Sequence, residues 1–140
     1  MGIETDVRNL ATDMGREVGT AGHDDARSYI LDRIHDMGIA PYLPGGFEAS
    51  YSSDDQEFSN ILATVPGKDP SLSPVLLGAH YDTCDSLPGA DDNATTVAVL
   101  LEVAAWIKGR SNRQVGDLRV LRRGGAAAFP VAVHGFHPVL

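Results

Sequence analysis

His80 and Asp82 form a pair whose types and spacing could do chemistry. In an extended strand, residues two apart point to the same side, so the Asp82 carboxylate can lie beside the His80 imidazole. A metal-bound histidine usually gives its second ring N–H to such a partner, which fixes the tautomer. His-x-Asp alone is also what a surface histidine beside a turn aspartate looks like, and a second feature is needed to separate the two interpretations.

That second feature is the pair of adjacent carboxylates at Asp91 and Asp92, immediately before an apolar segment that predicts a buried helix. A helix N-terminus offsets such negative charge by only about 0.3–1 kcal/mol, whereas a divalent cation offsets it far better. The alternative is that Asp91, Asp92 and Asn93 form only a turn and a helix cap. Taken with His80, the pair predicts a divalent metal site.

A strand, a loop and a helix must position these residues. Residues 60–65 and 74–80 predict strands, and the Val75-Leu76-Leu77 run is apolar on both faces, as a central strand requires. Residues 94–108 predict a buried helix, capped by Asn93 and ended by Gly109. The carboxyl end of a strand in an α/β sheet is also where ligands bind.

The N-terminal part predicts two amphipathic helices. Their apolar positions recur from Val7 to Val18 and from Ala26 to Met37. Residues 19–23 between them predict a turn, with His23 as a loop residue and Asp24 or Asp25 capping the second helix. Residues 41–57 predict a hairpin or an irregular edge. Helices and strands mixed in this order predict an α/β domain with a mostly parallel or mixed sheet.

Composition limits the class of protein. The chain has 140 residues, 43% of them hydrophobic, which suits one domain. Its net charge of -8 argues against non-specific nucleic-acid binding. The longest apolar stretch, Val97 to Ile107, is too short to span a bilayer, and Met1 to Asp6 lack the features of a signal peptide. We therefore expect a cytoplasmic protein that binds neither nucleic acid nor membrane.

Three segments together resemble a known family. Residues 60–67 (NILATVPG), 77–83 (LGAHYDT) and 88–94 (PGADDNA) resemble, in order and spacing, the di-zinc aminopeptidases of the twenty-eighth metallopeptidase family, clan MH. The resemblance implies a zinc-exopeptidase-like three-layer α/β fold with a mixed central sheet. It also implies two zinc ions and hydrolysis of peptide substrates at their N-terminus.

The resemblance also assigns roles. His80 would bind one zinc ion and Asp91 would bridge the two, so these are the expected metal ligands. Asp82 would orient His80 from behind and is the expected catalytic-site residue. Asp92 would be structural, and the peptide bond between Asp91 and Asp92 would be cis.

The pattern stops after residue 117. The family carries a Glu pair after the next strand, which would run here from Leu118 to Leu121, but Arg122-Arg123-Gly124-Gly125 follow instead. Residues 118–140 contain no Asp or Glu. Read one base later, the two glycine codons can encode Glu twice. We therefore interpret residues 1–117 as the N-terminal part of a catalytic domain, and 118–140 as an aberrant tail for which we hypothesise a frameshift.

This division predicts a truncated fold and an incomplete catalytic site, because the general base and later ligands would be missing. We expect weak or partial zinc binding and little turnover. Two alternatives stay open, namely a non-catalytic remnant or binding module on the same scaffold, and a glutaminyl-cyclase-like reaction. An exposed sheet edge would also favour self-association.

Overall fold

The structure is a computed structural model that describes residues 2–53, 55–69 and 71–110, and the backbone of 116–121. Within these residues the chain forms three helices and five strands. In chain order they are α1 (Ile3–Leu10), α2 (Ala21–Asp36), β1 (Ala40–Pro41), β2 (Glu48–Ser53), β3 (Gln56–Val65), β4 (Val75–His80), α3 (Thr95–Lys108) and β5 (Gly116–Leu121).

The strands form one mixed sheet around β3 and β5. On one side, β3 pairs antiparallel with the short β1 and with β2; on the other it pairs antiparallel with β5. Strand β5 then pairs in parallel with β4, which ends the strand order. The predicted α/β class with a mixed sheet is confirmed. The hairpin alternative for residues 41–57 is confirmed too, since β2 and β3 pair antiparallel from Ser53 and Gln56 onward.

The core lies where all three helices meet one face of β3. Residues Ile61, Ala63 and Val65 alternate along the strand, so they share this face. Helix α3 contributes Val97 and Leu101, which are fully buried. The apolar character of residues 94–108 therefore reflects burial against the sheet, as the sequence predicts. The observed helix differs from the predicted one by a single residue at its start.

Helix α1 is shorter than predicted. The apolar periodicity continues to Val18, but the helix ends at Leu10. The following segment turns away at Gly15, whose φ of +64° is left-handed, and Met14, expected in the apolar stripe, is exposed. The prediction was wrong here because the residues after the helix pack against a loop distant in sequence.

Helix α2 begins earlier than predicted, at Ala21. Its cap is Thr20, whose side chain accepts a hydrogen bond from the His23 backbone N–H. The predicted caps Asp24 and Asp25 lie inside the helix instead. His23, predicted in a loop, is a buried residue of the first turn.

Strand β4 is not central in the part of the sheet that the structure describes. It pairs there with β5 alone, and Val75 remains 45% exposed. Of this apolar run, Leu77 packs against the core, whereas Val75, on the same face at the start of the strand, remains exposed.

Strand β5 runs across the predicted boundary at residue 117. Its backbone pairs with β3 from Gly116 to Val120 and with β4 from Gly116 to Leu121. The strand expected at 118–121 is therefore present and continuous with the sheet. The Arg-Arg-Gly-Gly segment and the rest of the predicted aberrant tail lie outside the described residues.

Candidate metal centre

The candidate residues lie on the connection between β4 and α3. Strand β4 ends at His80, a loop follows over residues 81–89, and a single wide turn, Ala90–Ala94, leads into α3. Two hydrogen bonds close this turn, from the Ala94 N–H to the Gly89 carbonyl and from the Thr95 hydroxyl to the Ala90 carbonyl. Asn93 makes no capping hydrogen bond, so the predicted cap is wrong: the Ala94 N–H and the Thr95 hydroxyl close the turn instead.

The His80 imidazole is held between two aspartates. Its Nε2 lies 2.9 Å from Oδ1 of Asp92. Its Nδ1 lies 3.2 Å from the backbone oxygen of Asp82 and 3.4 Å from that residue's Oδ1. The hydrogen bond to the Asp82 side chain is the main reason why the pKa of His80 is raised above its ordinary value, with burial opposing it and Asp92 adding a smaller contribution.

The predicted arrangement of His80 and Asp82 is thus what the structure shows. The backbone oxygen and Oδ1 of Asp82 both lie on the Nδ1 side, so they would keep the ring proton on Nδ1 if a metal replaced the proton on Nε2. Asp82 is buried and lies behind the ring, away from its open side.

Asp92, and not Asp91, faces His80. The sequence prediction gave the metal-ligand role to Asp91 and a structural role to Asp92. Among the described residues, however, the ion pairs of His80 are with Asp82 and Asp92. The wide turn leaves Asp92 with non-helical φ and ψ of −111° and 88°, which aims its carboxylate at the imidazole. The cis peptide bond is likewise Asp92–Asn93 and not Asp91–Asp92.

The donor set suits zinc but supplies only part of a site. Zinc bound tetrahedrally by an imidazole nitrogen and a carboxylate oxygen, at about 2.0–2.2 Å each, would hold the two atoms roughly 3.4 Å apart. The observed 2.9 Å between His80 Nε2 and Asp92 Oδ1 needs only a small adjustment to reach this. Within the described part of the chain, no three His, Cys, Asp or Glu side chains converge on one point.

The loop carrying these residues is fastened by Arg16, which the sequence analysis did not single out. The residue is only 1% exposed. Its guanidinium donates hydrogen bonds to four backbone carbonyls, those of Leu10, Tyr81, Pro88 and Gly89, at 2.6–2.9 Å. Burial lowers the pKa of Arg16, while the nearby charges of Asp82 and Asp92 oppose this shift.

A second support of the loop is the ring of Tyr81. It stacks on His23 with 4.9 Å between ring centroids, and its hydroxyl donates to the Ser59 carbonyl. Burial raises the pKa of Tyr81 to about 12. The early start of α2 therefore matters for the site, because it places His23 under the residue that follows His80.

Comparison with known proteins gives a family. The model of peptidase family M28 matches residues 60–124. A vacuolar membrane protease of Candida dubliniensis is 32% identical over 70% of this chain, and an endoplasmic reticulum metallopeptidase of Caenorhabditis elegans is 29% identical over 66%. This chain covers 11% of each of those proteins. A leucine aminopeptidase of Arthroderma otae is 32% identical over 56% of the chain, which covers 22% of it.

Solved structures support the same fold. A Zn-dependent exopeptidase from Parabacteroides distasonis superimposes with a TM-score of 0.70 and 22% identity, over 98% of this chain and 50% of that one. A glutaminyl cyclase from Porphyromonas gingivalis gives 0.69 and 23%, over 93% of this chain and 47% of that one. The chain thus spans about half of these structures, and the likeness establishes the predicted zinc-exopeptidase fold.

The names of the relatives correct the expected compartment. Proteins named for the vacuolar membrane and the endoplasmic reticulum point to a membrane or organelle location, so the prediction of a cytoplasmic protein is wrong. That prediction depended on Met1 to Asp6, and the start of a chain that spans a ninth of such relatives carries no information on compartment. In the part that the structure describes, no helix is long and apolar enough to cross a membrane.

The family match coincides with the site. It begins in β3, takes in His80, Asp82 and Asp92, and continues through β5. Three observations agree with this family match. They are the order of strand, loop and helix, the pairing of His80 with Asp92, and the fold shared with the solved exopeptidases. Residues 60–124 of this chain belong to peptidase family M28.

Proposed function

We propose that this chain carries part of the metal centre of a zinc-dependent aminopeptidase, with His80 and Asp92 as metal ligands and Asp82 as the residue that orients His80. The observation that carries the proposal is the 2.9 Å approach of His80 Nε2 to the Asp92 carboxylate, with Asp82 on the opposite ring nitrogen. Peptidase families act on peptides, and we propose peptides with a free N-terminus as the substrates.

The chain's own residues would prepare the ligands. Asp82 holds the proton of the imidazole on Nδ1, so that Nε2 is free to coordinate. Asp92 supplies an anionic oxygen on an exposed turn, which is where a substrate could approach. Bound zinc would supply Lewis acidity and a water of lowered pKa in such a site. The family's twin-zinc arrangement would require further ligands beyond these two.

The isolated chain should bind zinc weakly and turn over substrate poorly. Catalytic zinc sites usually hold about three protein ligands and structural ones about four. Among the described residues, His80 and Asp92 come together without a third candidate ligand.

The test is a zinc titration of the full 140-residue chain, followed by the ring ¹⁵N resonances of its histidines. We expect saturable, weak binding that perturbs Nε2 of His80, and His80→Gln should abolish it. His35, an exposed histidine on α2, gives the matched control through His35→Gln, which should leave binding intact. Binding that persists in His80→Gln would contradict the proposed site, and nanomolar affinity would contradict its incompleteness.

Glutaminyl cyclisation is the second candidate, favoured by the cyclase structures among the fold neighbours. Because those likenesses are at most 23% identical, they support the scaffold and not the reaction. One assay separates the two: zinc-loaded chain is given an aminoacyl anilide and, separately, a peptide with N-terminal glutamine. Release of ammonia from the second with no hydrolysis of the first would favour cyclisation, and the reverse would favour the peptidase.

We also propose that the β4 edge allows self-association, which would suit the non-catalytic alternative of a binding module. In the described sheet this strand ends the order, and Val75 is exposed on it. An unprotected edge can pair with another chain. Sedimentation at rising concentration should show a dimer that Val75→Lys removes. A monomer at all concentrations would contradict this part.

A further inference from the structure

We propose that Arg16 is a positioning residue of the metal centre. Its buried guanidinium ties the start of the 81–89 loop to the end of that loop, and so fixes His80 relative to Asp92 before any metal binds. The inference rests on the proposed function in one respect only, the identity of His80 and Asp92 as ligands.

The hydrogen bonds of Arg16 support this in a specific way. Nε donates to the carbonyl of Tyr81, the residue after His80, at 2.7 Å. Nη1 and Nη2 donate to the carbonyls of Pro88 and Gly89 at 2.6 and 2.9 Å. One rigid, planar group therefore bridges the two ends of the loop. A planar fork is suited to this because its donors keep a fixed spacing.

The Arg16 backbone adds two further links to the same loop. Its N–H donates to the Thr83 hydroxyl at 2.7 Å, and its carbonyl accepts from the Thr83 N–H at 3.2 Å. The fit is close: a methyl group at Gly89 would lie 2.9 Å from Nη2 of Arg16, and one at Gly15 would lie 2.8 Å from the Ser86 backbone. Gly15 and Arg16 are therefore packed closely against the loop.

The loop passes this constraint directly to the ligands. Gly89, held by Arg16, accepts the Ala94 N–H that closes the turn bearing Asp92. Tyr81, also held by Arg16, adjoins His80. His80 thus adjoins one residue whose carbonyl Arg16 holds, Tyr81, and Asp92 lies three residues after another, Gly89. No direct contact of Arg16 with the metal is required.

A merely structural role is the competing explanation, and Arg33 provides its control. Arg33 is also a buried arginine, 7% exposed, and pairs with Asp6 at 2.8 Å to join α1 and α2. Its hydrogen bonds are made to Asp6 and not to the 81–89 loop. Arg16→Lys and Arg33→Lys both keep the charge and remove the planar fork, so they should cause comparable losses of global stability.

The experiment measures two quantities in the full chain and both variants. The first is the hydrogen-exchange protection of the Thr83 and Ala94 amides relative to the global free energy of unfolding. The second is zinc affinity at His80. We expect Arg16→Lys to reduce the protection of both amides selectively and to weaken zinc binding by about 10- to 100-fold, the range typical for residues that orient metal ligands. Arg33→Lys should change neither quantity after its global stability is taken into account.

The inference is overturned if Arg16→Lys behaves like Arg33→Lys in both measurements. If Arg16→Lys does not fold, Thr83→Val replaces it. This change removes the hydroxyl that accepts from the Arg16 N–H and that donates a longer hydrogen bond to the Asp85 carbonyl; Thr83→Ser keeps the hydroxyl and is its control. Selective loosening in Thr83→Val supports positioning, and its absence contradicts it. If the unmodified chain does not bind zinc at His80, the proposed function fails, and the exchange data alone decide the role of Arg16.

Discussion

Asp91 and Asp92 offer a direct test of which carboxylate serves the site. They are adjacent, both are exposed and both lie on the same wide turn. Asp91→Asn and Asp92→Asn remove the same charge and preserve nearly the same volume. Only Asp92 contacts the imidazole. We expect Asp92→Asn to lower the pKa of His80 and to weaken zinc binding, and Asp91→Asn to leave zinc binding nearly unchanged.

The size of the effect of Asp92→Asn follows from the distance and the exposure of the His80–Asp92 ion pair. The pair is short, 2.9 Å, but the Asp92 side chain is 69% exposed, so water screens the interaction. Exposed ion pairs of this kind contribute about 0.2–1 kcal/mol. Asp92→Asn should therefore lower the pKa of His80 only modestly and reduce the stabilisation by an amount within this range. The larger contribution, from the side chain of Asp82, remains in the variant.

The sign of the pH dependence follows from the raised pKa of His80. The folded protein holds this proton more tightly than the unfolded chain does, so the stabilisation is fully present below the ordinary histidine pKa of about 6.5. It is lost as pH rises through the raised folded pKa. The stability difference between unmodified protein and Asp92→Asn should therefore be largest at acid pH and vanish above that window. Metal binding should show the opposite trend, because zinc competes with the proton for Nε2.

The assay is an NMR titration of the histidine rings with pH, and then with zinc, in both Asn variants. The reasoning is refuted if Asp91→Asn lowers the pKa of His80, or weakens zinc binding, as much as Asp92→Asn does. In that case the original assignment of Asp91 would be the better one. A variant with His80→Gln identifies which ring resonance belongs to the site.

Two further predictions concern the supports of the loop. Because burial raises the pKa of Tyr81 to about 12, the free energy of unfolding should fall by roughly 3 kcal/mol in the limit as pH rises from 10 to about 12. Alkaline denaturation should show this decrease. Tyr81→Phe should remove the pH dependence, although it also loses the hydrogen bond to Ser59. Gly15→Ala should lower the free energy of unfolding by more than Gly38→Ala in urea denaturation. Both glycines have left-handed φ, at +64° and +62°, for which a side chain costs about 1–2 kcal/mol, but only at Gly15 would the new methyl group also contact the Ser86 backbone.

The elements that carry the site could be predicted from the sequence because their signals are local. A buried helix at 94–108 follows from continuous apolar character, and it is observed from Thr95 to Lys108. The strand ending at His80 follows from its β-branched and apolar run, and it is observed from Val75. The pairing of His80 with Asp82 follows from the period of a strand. None of these needs knowledge of distant contacts.

The features that the sequence did not predict depend on tertiary contacts. Arg16 looks like any surface arginine in the sequence, and it becomes a buried bridge only because the 81–89 loop folds over it. The choice between Asp91 and Asp92 as the metal ligand likewise depends on the φ and ψ of one turn, which the local sequence does not determine. The available signal was the neighbouring Gly15, which permits the left-handed φ at which the chain turns away after the helix.

The exposures of the site residues indicate that the fold depends little on Asp92, the most exposed residue of the candidate centre. Side-chain exposure rises from 7% at Asp82 to 18% at His80 and 69% at Asp92. The turn that carries Asp92 is closed by backbone hydrogen bonds and by Arg16, and not by the weak ion pair to His80. Asp92→Asn should therefore change the free energy of unfolding by about 1 kcal/mol or less, while it removes the charge of one of the two proposed metal ligands. A residue that contributes little to stability, yet has its carboxylate oriented by a turn that a buried arginine secures, is positioned for binding.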